Sequence, residues 1–172
     1  ITYFADRRAS LGATGYIASM RNLVDGVELD TQEWSSIPTG GRFGAVGVNA
    51  SFGRKWFDIG AELALSFDRI PEGDGVVDGG GGPAAVVRAT MTEKKRELEV
   101  SLRYYDANYV NPHARPIAAA DELEGQRARD EMGMRVRYAG VEGALRLRAS
   151  LDLWSVHDTS NPLDASPRRL TK

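Results

Sequence analysis

Hydrophobic and polar residues alternate along residues 56–68, WFDIGAELALSFD. The apolar set of this segment is Phe57, Ile59, Ala61, Leu63, Leu65 and Phe67, and acids, glycine, alanine and serine lie between them. A period of two predicts a β-strand with one apolar and one polar face. The segment is long for a soluble strand and about long enough to cross a bilayer at a tilt. An aromatic residue at each end of the apolar set is typical of the girdles at a membrane interface.

The same alternation predicts further strands along most of the chain. They cover residues 9–20, 43–52, 84–94, 96–105, 132–139 and 145–153, and residues 1–4 form a short β-favouring piece. Tight turns are predicted near Arg54, Lys95 and Glu142, and long connections near Asp30, Gly79 and Glu122. The connection 69–83 is predicted to be a loop, and the connection 106–131 a long loop with a short helix over 118–131. Residues 155–172 are predicted to form an irregular tail without a further strand.

The connections alternate between short and long, which places every long loop at one end of the sheet. Outer-membrane barrels have this asymmetry, whereas a soluble sandwich has no reason to keep it. The sequence therefore predicts an all-β fold, an antiparallel up-and-down transmembrane β-barrel or a segment of a larger one. About seven to eight strands are visible, in a single domain over residues 1–172.

Each predicted strand has one face suited to lipid and one suited to a lumen. The charged set recurs on nearly every strand, as expected where water or opposite charge can satisfy it. Predicted to face the lumen are Asp58, Glu62, Arg88, Glu97, Glu99, Arg103, Arg135, Arg137, Arg146, Arg148 and Asp152. Predicted to face lipid are Phe57, Ile59, Leu63, Leu65, Phe67, Leu98, Val100, Leu102, Leu145, Leu147, Leu151 and Leu153. Counting from the tight turns, we expect Glu97 to face Arg137 and Glu99 to face Arg135.

Composition excludes several classes of function. A formal net charge of -2 and interleaved arginines argue against a nucleic-acid partner. The absence of cysteine excludes disulfides and thiolate metal sites. No run of eighteen apolar residues is present to form a helical membrane span. The mean hydropathy of -0.35 is compatible with a β-barrel, whose alternation averages to a polar composition.

Candidate chemistry in the sequence is sparse, and we predict neither an enzyme nor a cofactor. Ser155, His157 and Asp158 contain triad residue types, but their adjacency along the chain is not triad geometry. The acids Glu72, Asp74 and Asp78 lack the spacing of a calcium loop. Residues 79–82, four glycines, lack the lysine and the strand-to-helix context of a phosphate loop. The remaining histidine, His113, is expected in a solvated loop.

The alternating pattern over about residues 9–155 resembles the bacterial outer-membrane β-barrel class. Residues 103–106, RYYD, and 109–112, YVNP, followed by an acidic connection, are similar to barrel regions of Gram-negative envelope proteins. The resemblance implies an outer-membrane location, contact with membrane lipid, and a pore, transport or envelope scaffold role. It also implies other envelope proteins as partners. The final residues, SPRRLTK, depart from the aromatic-ended last strand of that class, so we expect a piece of a larger barrel whose remaining strands complete the wall.

A soluble β-sandwich or barrel that binds a glycan or a protein is the alternative, because it alternates too. Its candidate binding platforms are Trp34, Trp56 and Trp154. In that fold the apolar face would form the core and the charged face would meet solvent.

Overall fold

The computed structural model describes residues 1–4, 8–20, 41–72, 75–106, 108–109, 111, 131–155 and 170–171. These residues form ten strands and no helix. The strands are β1 (Thr2–Phe4), β2 (Ala9–Met20), β3 (Gly41–Arg54), β4 (Phe57–Glu72), β5 (Gly75–Gly80), β6 (Pro83–Glu93), β7 (Arg96–Tyr105), β8 (Glu131–Glu142), β9 (Leu145–Ser155) and β10 (Leu170–Thr171).

All described strands belong to one antiparallel sheet in the order β1-β2-β3-β4-β6-β7-β8-β9-β10, with β5 paired to β4. Neighbours in the sheet are thus neighbours in sequence except for β4 and β6, because β5 lies between them in sequence and pairs with the end of β4. This topology confirms the predicted all-β, up-and-down fold. Among the described residues no strand pair joins the two ends of the sheet, so it has the form of a barrel segment.

Three tight turns lie at the same end of the sheet, as the sequence predicts; we call this the turn end and the opposite one the loop end. The turns are Lys55–Trp56 after β3, Lys94–Lys95 after β6, and Gly143–Ala144 after β8. Lys94 and Gly143 have positive φ angles of 54° and 60°. Two-residue hairpins favour positive φ because it matches the twist of the flanking strands.

The structure corrects three predictions about the connections. The acidic glycine segment after Asp68 is not a loop, because β4 continues to Glu72 and pairs with β5. Leu170 and Thr171 in the predicted irregular tail pair with the loop end of β9 as β10. Glu131, expected at the end of a helix, begins β8. The rest of that predicted helix, residues 118–130, lies outside the described residues.

Paired residues of an antiparallel sheet point to the same side, so the register assigns every position to one of two faces. Leu63 illustrates the apolar face, since it lies opposite Val48 on β3 and Ala85 on β6. Two residues further along β4, on the same face, Leu65 pairs with Val46. Gly44 on this face is covered by an aromatic ring, since a methyl group there would lie 2.7 Å from Phe67 Cζ.

Burial is reversed relative to a soluble sheet protein. The large apolar side chains on the apolar face are open, with Leu63 at 58% and Leu102 at 50% exposure. The loop-end half of the polar face is enclosed, with Ser101 at 0% and Arg103 at 3% exposure, whereas Asp58, Arg137 and Arg148 nearer the turn end are exposed. The small cluster of buried apolar residues, Ala84, Tyr105 and Tyr109, lies with this polar face as well.

Candidate functional site

The two groups of residues that the sequence predicts to face lumen and lipid fall on opposite faces of the sheet. Two rows follow the polar face across β6, β7, β8 and β9. One row is Thr90, Glu99, Arg137 and Ser150, and the next is Arg88, Ser101, Arg135 and Asp152. On the apolar face the corresponding row is Ala89, Val100, Val136 and Leu151. What each face contacts in the cell stays a prediction, but their segregation is complete for these residues.

Arg103 is the centre of a buried charge cluster on the polar face. Its Nε donates a hydrogen bond to Glu131 Oε1, at the start of β8. Its Nη1 donates to Asp152 Oδ1 on β9 at 2.7 Å. The Arg103 side chain has no exposed area, and the two carboxylates are almost fully buried. Buried charges are tolerated when they are paired and hydrogen-bonded, and Nε and Nη1 meet that condition, while Nη2 has no hydrogen-bond partner among the described residues.

Glycine at position 133 leaves room for the Arg103 side chain to extend across β8 to Asp152 on β9. Arg103 and Asp152 lie on β7 and β9, and Gly133 on β8 is the residue directly opposite Arg103. A methyl group at Gly133 would lie 2.6 Å from Arg103 Cζ and 2.8 Å from the Leu153 carbonyl oxygen. The guanidinium therefore occupies the space that a side chain at this position would fill.

Glu99 forms a second, looser charge group nearer the turn end. Its carboxylate lies 3.8 Å from Arg137 Nη1 and 3.9 Å from Arg88 Nε. The register pairs Glu99 with Arg137, Glu97 with Ala139, and Arg135 with Ser101. The predicted pairs Glu97–Arg137 and Glu99–Arg135 are thus wrong by a shift of two residues. β7 and β8 are joined by the long connection at the loop end, so no tight turn determines their register, and β8 pairs with β7 up to Gly140, opposite Arg96.

The chain after β7 folds back onto the loop end of the polar face. Asp106 begins this segment, and its Oδ1 accepts a hydrogen bond from the Asn108 amide at 2.9 Å. The Gly81 amide donates to the Asn108 carbonyl at 2.7 Å, which attaches the segment to the start of β6. Tyr109 is 3% exposed, and its ring centroid lies 5.9 Å from that of Tyr105.

A hydrogen-bonded chain joins this segment to β2, four strand positions away from β7. Tyr16 Oη donates to Asn111 Oδ1 at 2.9 Å, and Asn111 Nδ2 donates to Tyr109 Oη at 2.9 Å. Burial raises the pKa of Tyr109 above its ordinary value of 10, and the negative charge of Glu62 acts in the same direction. The hydrogen bond from Asn111 opposes them. The phenol therefore stays protonated throughout the physiological range.

Sequence reasoning misses the parts of the site that come from connections. It predicts a helix at Glu131 and a loop without a role at Tyr109 and Asn111. It includes Tyr16 within a strand but not as part of a site. The available signal is the aromatic and amide content of YDANYVN at the end of β7, which is unusual for a purely solvated loop.

Of the predicted tryptophan platforms, Trp154 lies beside this cluster and Trp56 does not. Trp56 is exposed in a tight turn, while Trp154 lies half-buried opposite Gly133 on the polar face. Trp34 lies outside the described residues, as do His113, Asp74, His157 and Asp158. Within the described part of the chain no three metal-ligating side chains lie together. The predictions of no cofactor and no enzymatic activity stay predictions.

The described residues include no helix long and apolar enough to span a membrane. No family model, curated protein or solved structure matches the chain.

Proposed function

We propose that this chain is an integral β-barrel, or a wall segment of one, in the outer membrane of a Gram-negative-type bacterium. The observation that carries the proposal is the reversed burial of the sheet. Its apolar face is open from Leu11 on β2 to Leu151 on β9, while the loop-end half of its charged face is enclosed. A soluble sheet protein buries its apolar face instead, whereas a membrane barrel has this arrangement.

The extent of the apolar face supports lipid as its environment. It runs over seven long strands, and Ile17, Val46, Leu65 and Leu147 are among its exposed members. Soluble monomers rarely expose a contiguous apolar patch larger than a few hundred Å². Transfer of such a face from water to hydrocarbon is favourable by about 25 cal/mol per Å² of apolar surface. The backbone hydrogen bonds of a sheet are made between its strands, as a structure that spans a membrane requires.

The packing of side chains on the loop-end half of the polar face favours a structural role in the envelope over a wide pore. Arg103 is held between two carboxylates, and Tyr109 closes against Tyr105 at the loop end. Barrels of about eight strands have an interior that side chains can fill. We therefore propose an envelope scaffold, with other envelope proteins as partners, rather than a transport channel.

The alternative of a soluble binding module is weakened by the same face. Such a module would need another surface to cover the exposed leucines and valines. Of its candidate tryptophan platforms, Trp56 lies at the turn end and Trp154 at the loop end of the polar face, and Trp34 lies outside the described residues.

Vesicle flotation tests the proposal directly. The chain, refolded from urea in the presence of phosphatidylcholine vesicles, is expected to float with them and to resist extraction by carbonate or high salt. Its gel mobility in dodecyl sulfate should differ between heated and unheated samples, as expected for a stable barrel. A monodisperse, detergent-free protein that stays at the bottom of the gradient would refute the membrane location.

Planar bilayer recordings separate scaffold from pore. We expect no stable conductance steps, because the charge cluster and the folded-back segment occupy the interior. Reproducible open channels would refute the scaffold role while leaving the membrane location intact.

A further inference from the structure

Cations are concentrated on two of the three tight turns at the turn end. Residues 54–57, RKWF, and 93–96, EKKR, contain five cations and one acid, and all five cations are exposed. The third turn, residues 142–145, EGAL, contains no cation. Among the described residues, none of the three lysines in these segments takes part in an ion pair. Their positive charge is therefore available to a ligand of opposite charge.

The two cationic turns lie side by side in the sheet. The Thr92 amide, just before one turn, donates a hydrogen bond to the Trp56 carbonyl in the other at 2.8 Å. Phe57 and Met91 pair directly beside this bond. Strands in a sheet are about 4.8 Å apart, so the centres of the β3–β4 and β6–β7 turns, two strand spacings apart, are separated by about 10 Å. Because lysine side chains are long, a single ligand can contact lysines of both turns.

A cavity of about 560 Å³ lies beside these turns at the end of the apolar face. Met91, Leu98 and Tyr138 line it, and the register places them consecutively in one row of that face. The rest of its lining comes from the turns and the adjoining polar positions: Trp56, Thr92, Glu93, Arg96 and Glu97. Of its two acids, Glu97 lies on the polar face and Glu93 is the register partner of Arg96. With the five cations of the two turns against these two acids, the margin of the cavity has a net positive charge.

Tyr138 joins the apolar part of the cavity to its charged margin. Its ring lies over Gly140, where an added methyl group would lie 2.5 Å from the phenol oxygen. Gly140 is paired with Arg96, so the phenol extends to the row in which the apolar face gives way to charge. Tyrosine and tryptophan are enriched at membrane interfaces, because one end of each side chain is apolar and the other polar. The cavity therefore suits an amphiphile, with its hydrocarbon toward Leu98 and its headgroup toward Arg96.

We infer that this cavity binds a phospholipid with an anionic headgroup from the leaflet at the turn end. The inference rests on the proposed membrane location, to which it adds the class of lipid and its position. The headgroup phosphate lies among Lys55, Lys95 and Arg96, and an acyl chain continues over Met91 and Leu98 onto the apolar face. An anionic headgroup fits better than a zwitterionic one, because clustered lysines and arginines attract net negative charge at a membrane surface.

Native mass spectrometry of the refolded full chain in a non-ionic detergent tests the inference. Phosphatidylglycerol and phosphatidylcholine with the same acyl chains are titrated separately, and the dissociation constant of the first lipid adduct is measured for each. We expect phosphatidylglycerol to bind more tightly. Each lysine near an anionic membrane surface strengthens the attraction about fivefold, so Lys55→Gln combined with Lys95→Gln should weaken phosphatidylglycerol binding about 25-fold and phosphatidylcholine binding little.

The matched control removes two cations from the opposite end of the same face. Arg42 and Arg69 are exposed and pair with each other across β3 and β4 at the loop end. Arg42→Gln combined with Arg69→Gln changes the net charge by the same amount, and it should leave the affinity for phosphatidylglycerol unchanged.

A second pair of variants tests the cavity without changing any charge. Met91→Trp fills the cavity and should weaken phosphatidylglycerol binding. Leu102→Trp places the same side chain at an exposed position of the apolar face away from the cavity and should not. Circular dichroism confirms that each variant retains its β-sheet.

Equal affinities for the two lipids, or equal losses in the turn-end and loop-end variants, would overturn the inference. Displacement of the lipid by inorganic phosphate would overturn it as well, because the free anion would then be the ligand. A dimer that Met91→Trp abolishes would make a second copy of the chain the occupant. Flotation with phosphatidylcholine vesicles reports separately on the membrane location, so a chain that floats without preferring phosphatidylglycerol refutes this inference alone.

Discussion

Substitution of Gly133 by alanine should be among the most damaging single-methyl changes in this protein. The added methyl group would lie 2.6 Å from Arg103 Cζ and 2.8 Å from the Leu153 carbonyl oxygen, both well inside normal contact. The Arg103 guanidinium is the more mobile neighbour, and it would have to leave its place above β8. Its hydrogen bonds to Glu131 and Asp152 would then be lost.

The cost follows from what remains buried after the guanidinium moves. The Glu131 and Asp152 side chains have 5% and 10% exposure, so their carboxylates would lose their cation while largely shielded from water. Removal of one partner from a buried ion pair destabilises a protein by about 3–5 kcal/mol. We expect Gly133→Ala to lower the free energy of unfolding by an amount in this range.

Gly60→Ala is the matched control, because Gly60 also lies on the polar face within a long strand. Its nearest neighbour for an added methyl group is the Ala50 carbonyl oxygen at 3.9 Å, which is ordinary contact. Alanine in a strand interior is favoured over glycine by roughly 0.5–1 kcal/mol, so this variant should be neutral or slightly stabilised. Urea titration in lipid vesicles, followed by tryptophan fluorescence, measures both variants, and Trp154 opposite Gly133 is a local reporter.

Repeating Gly133→Ala in an Arg103→Met background identifies the cause. If the methyl group acts by displacing the guanidinium, it should cost much less once that group is absent, and only the contact with the Leu153 carbonyl should remain. Equal costs in the two backgrounds would refute this mechanism. A cost for Gly133→Ala as small as that of Gly60→Ala would refute the position of Arg103 itself.

Two further substitutions test the faces and the register. Leu63→Arg should cost about 2–4 kcal/mol in vesicles and Glu62→Arg little, because a charge is costly on the lipid face only; similar costs in urea titrations would contradict the face assignment. A double-mutant cycle should find Glu99 coupled to Arg137 by less than about 1 kcal/mol, as for a partly exposed pair, and more strongly than to Arg135. A larger coupling to Arg135 would restore the register that the structure corrects.

Local pattern was sufficient for the seven long strands, the tight turns between them and the division into faces. In a strand the side-chain period is two, so the alternation from Phe57 to Phe67 places each residue on a face without knowledge of its neighbours. Short polar interruptions such as Gly143 and Lys94 end one strand and begin the next, and this determines the antiparallel order. The prediction of a loop for the acidic glycine segment is wrong because pairing with β4, which single-segment propensity does not contain, makes it a strand.

Tertiary structure decided the register between β7 and β8, the enclosure of the loop-end half of the polar face and the partners of Arg103. Alternation distinguishes two faces but does not determine which one the sheet curves around, because that depends on all strands together. The Arg103 cluster joins three strands, and Glu131 enters it only because β8 begins earlier than its hydrophobic pattern does. The chain from Tyr16 through Asn111 to Tyr109 likewise joins residues far apart in sequence. Such contacts depend on distances across the folded sheet, which neither residue type nor spacing along the chain specifies.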